Sequence, residues 1–67
     1  MKIQVNNEPF ELLNAATIPF VLDKVKIPSR QGIAVAVNNI VIAKSTWDTY
    51  LVKENDSLTI IRATQGG

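Results

Sequence analysis

Few residues in this chain could do chemistry. Its 67 residues contain no Cys and no His, which excludes disulfides, thiolate zinc sites, iron–sulfur clusters and catalysis built on imidazole. Ser29, Ser45 and Ser57 therefore lack a His to activate them, and an unactivated hydroxyl is a weak nucleophile. Acid–base catalysis needs titratable groups whose surroundings drive their pKa values apart. The six carboxylates instead fall on turns and polar faces. Glu54 and Asp56 flank one turn and could face a cation, but two carboxylates in one loop make a poor site. A solvated turn is the simpler reading. The chain does not read as an enzyme, and no bound cofactor or metal is expected.

The sequence closes on Gly66-Gly67. With Gly at ~7% of residues, such a pair arises by chance in roughly 0.5% of chains. A frayed end is the plain explanation. The functional one is mechanical: a tail without side chains is thin enough to thread a narrow channel and deliver its carboxylate to another protein's active site. Missing Cβ atoms leave the terminal carbonyl open and let the backbone follow the channel.

The elements that would hold such a tail follow from periodicity. Residues 2–6 and 9–13 alternate polar and apolar, the mark of half-buried strands, with Asn6-Asn7 as the hairpin turn between them. Ile18, Val21, Leu22 and Val25 lie on one helical stripe. Thr17 is the expected N-cap and Pro19 falls in the first turn. Pro28 should stop the helix near Lys26. Ile33–Val37 and Ile40–Ile42, divided by Asn38-Asn39, give two further strands. Between 45 and 51 a turn or helical loop is expected, with Trp47 and Leu51 plugging the end of the core. Trp47 reads as core rather than interface anchor. Leu58 to Ala63 forms the last strand.

The order is β-β-α-β-(β)-β, an α+β chain with one helix on one face of a mixed four- to five-stranded sheet. The first and last strands are expected side by side and parallel at its centre, the β-grasp arrangement of ubiquitin-like proteins. Residues 1–63 form the domain and 64–67 the tail.

Composition limits the partners. Hydrophobic residues at 46% exclude wholesale disorder. Seven Lys/Arg against six Asp/Glu leave +1, with no basic stripe to track nucleic acid. The longest apolar run, Ile33–Val37, is far short of the ~20 residues of a membrane span. A cytoplasmic protein is expected.

Specific residues then resemble a known family. Gly32-Ile33-Ala34-Val35-Ala36-Val37-Asn38, Ser45, Trp47, Leu51, and Asp56 through Ile61-Arg62-Ala63-Thr64-Gln65-Gly66-Gly67 resemble the ThiS family, the ubiquitin-like sulfur carriers of thiamine biosynthesis. The match is close over about two-thirds of the chain. Asn39 and Asn55 stand where the family usually turns on Gly, and Ala43 where Pro is common; Asn tolerates the left-handed conformation.

The resemblance implies a carrier. A ThiF-type adenylyltransferase would use ATP to activate the Gly67 carboxylate, and a sulfur donor protein would convert it to a thiocarboxylate. Thiazole synthase of the ThiG type would receive the sulfur. Gly66 supplies access. The open sheet face is the expected docking surface. Ile61 and Ala63 point away from Leu58 and Ile60, Ala34 and Ala36 lie beside them, and Arg62 is available to a partner carboxylate. The small subunit of molybdopterin synthase, or a β-grasp interaction or modifier module, are the alternatives.

Overall fold

A computed structural model describes residues 1–27 and 31–62. The first hairpin joins β1 (Lys2–Val5) to β2 (Glu8–Glu11), antiparallel, with Val5 opposite Glu8. Asn6 and Asn7 make its turn with φ of 52° and 69°, the two positive angles of a type I′ connection. Both strands are shorter than the alternation predicts. Beyond Glu11 the chain runs through a bend to β3 (Ala16–Thr17), which leads straight into α1 (Ile18–Lys24).

Helix α1 buries Ile18, Val21 and Leu22, while Val25 packs against the core from just beyond its end. Thr17 does occupy the N-cap position, but its side chain makes no capping bond; its backbone is committed to the β3 pairing instead. The C-terminus also differs from expectation. The helix stops at Lys24, and Lys26 takes φ 65°. Its N–H reaches Asp23 O at 3.1 Å, and Ile27 N–H reaches Leu22 O at 2.9 Å. This is a Schellman closure, with Lys where Gly is usual. The stop is therefore built before Pro28 is reached.

Strand β4 (Ile33–Val37) and β5 (Ile40–Ile42) form a second hairpin. Its turn, Asn38 and Asn39 with φ of 52° and 71°, repeats the first. A single 3-10 turn at Lys44–Thr46 follows, then β6 (Leu51–Val52) and β7 (Ser57–Arg62). Asn55, at φ 69°, makes the turn before β7.

The main sheet has the order β2-β1-β7-β4-β5, and β3 pairs with β6 in a separate short ribbon. β1 and β7 are parallel at the centre, Val5 level with Leu58, and β4 is antiparallel to β7. This is the expected β-grasp order. The core lies between α1 and one sheet face, joining Ile3, Val5, Leu58, Val35 and Val37 to the helix residues, Trp47 and Val52. Trp47 is the plug expected, with its Nε1–H donating to Ile42 O at 3.0 Å. Leu51 is not: it is half exposed, and Val52 is the buried residue. Pairing of Ala16 with Val52 turns that position inward.

Candidate functional site

Strand β7 sits between β1 and β4 and leads toward the C-terminal glycines. Ala63, Gly66 and Gly67 lie outside the described residues, as does the whole expected tail 64–67. The site's visible part is therefore the strand that points at it and the surface around that strand.

Alternation along β7 divides its residues as the sequence predicts. Leu58 is fully buried and Ile60 packs on the core, while Thr59, Ile61 and Arg62 are exposed. Ile61 is 50% exposed and stands opposite Ala34; Arg62, at the end of the strand, stands opposite Ile33. Ala34 is half-buried. Ile61 and Ala34 are thus brought together on the open side. Arg62, two residues beyond Ile60 and opposite the core-packed Ile33, falls on the other face, at the exposed end of the strand, and does not join them, contrary to expectation.

Ala36 departs from the expectation. Its register puts it on the open face, between Thr59 on β7 and Val41 on β5, and it does not join the core cluster. Yet it is only 7% exposed. A single methyl in mid-sheet is overshadowed by two larger flanking residues, so Ala36 offers almost no surface of its own.

Val41 takes its place. It is 66% exposed and faces the same side as Ile61, a residue the periodicity argument overlooked. The signal was present: a two-residue turn at Asn38-Asn39 makes Val37 face Ile40, which puts Val41 beside Ala36. The open face therefore carries Ile61 and Ala34 side by side on β7 and β4, with Val41 on β5 diagonal to Ala34, level with Ala36 and Thr59.

Glu54 and Asp56 have structural work. Glu54 Oε2 accepts from Lys2 N at 3.2 Å. Asp56 Oδ2 accepts from Lys53 N at 2.8 Å, and Oδ1 from Asn38 Nδ2 at 3.0 Å. Among the described residues no three acidic side chains are grouped where they could hold a metal.

A second apolar feature lies at the other end of the sheet. Leu13, Phe20 and Leu51 rim a groove of about 520 Å³. Lys24 Nζ lies over the Phe20 ring at 5.3 Å from its centroid. No β7 residue lines the groove.

Comparison with known proteins gives one family. The model of the ThiS family matches residues 3–67. The crystal structure of the thiamine biosynthesis protein ThiS from Geobacter metallireducens superposes with a TM-score of 0.85 at 22% identity, covering all of both chains. The solution structure of a thiamine biosynthesis protein from the same organism gives 0.79 at 22% identity, over 100% of this chain and 88% of that one. No curated protein matches. At such identity the structural likeness establishes the fold.

Proposed function

This chain belongs to the ThiS family, and from that premise we propose that it is a sulfur carrier of thiamine biosynthesis, loaded as a thiocarboxylate on Gly67. The observation that carries the reading is the extent of the family match, which runs through residue 67 and so includes both terminal glycines. Both structural relatives are thiamine biosynthesis proteins, which favours this role over the molybdopterin alternative.

The chemistry asks little of the carrier. A Gly67 carboxylate oxygen attacks the α-phosphorus of ATP in a partner adenylyltransferase and expels pyrophosphate. The resulting acyl-adenylate has a good leaving group. A persulfide carried by the donor protein then attacks the carbonyl, and AMP departs. A thiolate next attacks the donor-side sulfur of the resulting acyl disulfide, forming a disulfide with the donor and releasing the Gly67 thiocarboxylate. Thiazole synthase takes the sulfur onward. Each catalytic group belongs to a partner, so this chain acts as a protein co-substrate without bound cofactor, in the cytoplasm. Among the described residues no helix is long and apolar enough to cross a membrane.

What the chain supplies is presentation. β7, paired on both sides, gives a rigid base for the approach of Gly66 and Gly67. The open face at Ile61, Ala34 and Val41 provides apolar area to be lost from water on docking. Arg62, exposed at the end of β7 on the other face, is available to a partner carboxylate nearer the tail.

Intact-mass measurement tests the reading. The protein is incubated with ATP, a sulfur source and the cognate adenylyltransferase. A gain matching replacement of one oxygen by sulfur, absent when Gly67 is deleted from a folded variant, is the expected result. Equal sulfur loading of the truncated chain would overturn it.

A further inference from the structure

Both neighbours of β7 hold it by backbone ladders, but the ladder with β1 is the shorter. Gln4 N donates to Asp56 O and Asn6 N to Leu58 O, each at 2.9 Å. The alternation of a parallel pair would next bring Ile60 N to the carbonyl of Asn6. The chain leaves its extended course there, because Asn6 opens the turn at φ 52°. Ile60 N instead donates to Asn6 Oδ1 at 2.8 Å. One side-chain oxygen stands in for the carbonyl of its own residue and extends the ladder by a step.

We propose that Asn6 is a positioning residue for the C-terminal tail, fixing on the β1 side the direction in which β7 leaves the sheet. Among the described residues, backbone pairing of β7 with β1 ends at Leu58, whereas β4 follows β7 as far as Arg62. Without Asn6 Oδ1, the segment Ile60–Arg62 is held from one side only and is free to tilt with β4. The consequence grows with distance. Gly67 is seven residue steps beyond Ile60 in the sequence, a span of at most ~24 Å for a fully extended chain. A tilt of ~5° at the base moves the end by ~2 Å, and misplacement of about 1 Å can cost ~100-fold in rate. This inference rests on the carrier reading for its effect on rate, but its geometric content stands apart from it.

Two variants isolate the side chain. Asn6→Gly keeps the left-handed turn, which Gly adopts without strain, and removes the acceptor. Asn6→Asp keeps an acceptor oxygen at a residue type that also tolerates this conformation. Adenylation of each is followed by ATP–pyrophosphate exchange with the partner enzyme, amide exchange is read at Ile60, and N–H residual dipolar couplings at Ile61 and Arg62. For N6G the expectation is a folded protein with Ile60 exchange faster by about tenfold. Its kcat should fall about tenfold while KM stays within about twofold, because docking is untouched. N6D should restore both kcat and Ile60 protection. Unchanged kcat in N6G, a loss carried by KM, or failure of N6D to restore the rate overturns the proposal. If the wild-type chain is not adenylated, the carrier reading fails, and the couplings decide: reorientation of Ile61 and Arg62 in N6G, reversed in N6D, supports the role of Asn6, and unchanged couplings overturn it.

Discussion

Asn6 and Asn38 use the same oxygen for the same purpose on the two opposite edges of β7. Asn38 N donates to Ser57 O at 2.8 Å, and Ser57 N returns the bond to Asn38 Oδ1 at 3.0 Å. Asn6 N donates to Leu58 O, and Ile60 N returns to Asn6 Oδ1. Each Asn opens a type I′ turn with φ 52°. Each turn thus closes its own hairpin and also grips a third strand, through a backbone N–H that any residue but Pro would supply and a side-chain oxygen that Gly at the same position would lack.

Replacing Asn38 by Gly separates those two tasks. The turn survives, while the bonds to Ser57 N and Asp56 Oδ1 disappear. At roughly 0.5–1.5 kcal/mol for each of the two hydrogen bonds, stability should fall by about 1–3 kcal/mol. Urea denaturation reads this as a lower midpoint at constant slope. A midpoint equal to wild type would mean that water replaces both partners without loss.

Ile61→Asp addresses the open face. Ile61 is half exposed and outside the core cluster, so the melting temperature should drop by only a few degrees. A partner that covers the residue must desolvate the new charge, and affinity should fall by about 30-fold or more. Calorimetric titration with the adenylyltransferase gives the number. Wild-type affinity in the mutant would move the docking surface elsewhere.

Gly66→Val asks whether reach and docking are separable. Val narrows backbone freedom and adds width, so single-turnover adenylation should slow by about 100-fold while the binding isotherm shifts little. A proportional loss in both would make the glycine pair a docking element.

Trp47→Phe tests the core plug. The indole is 3% exposed and its N–H satisfies Ile42 O, at the end of β5. Phe leaves that carbonyl without its partner and a small void beside it, together worth about 2–4 kcal/mol. Thermal unfolding by circular dichroism should show a loss larger than that of Ile61→Asp. A smaller loss would show that the site collapses around the ring.

The faces of β7 were legible in the sequence because a strand's period is two: once Leu58 is inward, Ile61 must be outward. The Asn-Asn pairs also declared their turns, since few other residues take two positive φ values in succession. Ala36 was misjudged for a different reason. Periodicity assigns a face, but exposure depends on the size of residues on neighbouring strands, here Thr59 and Val41. Leu51 and Val52 were exchanged because a two-residue strand has no period to read. The grip of Asn6 on Ile60 joins positions 54 apart, and no local pattern announces it. Lys26 hid the helix stop, since a residue other than Gly in the left-handed region looks like ordinary helix until its φ is seen.

The central place of β7 between β1 and β4 has a kinetic side. Both hairpins and the helix bring together residues near in sequence, yet α1 spans only seven residues and isolated hairpins are marginal in water. Neither half can bury the core alone. The step that joins them closes a loop of most of the chain, and its entropic cost falls before the contacts that offset it have formed. Refolding should therefore be limited by the meeting of the oldest and youngest strands, with the two hairpins flickering into existence beforehand. Substitutions that weaken the β1–β7 seam would then slow folding, whereas those in the β4–β5 hairpin would chiefly hasten unfolding.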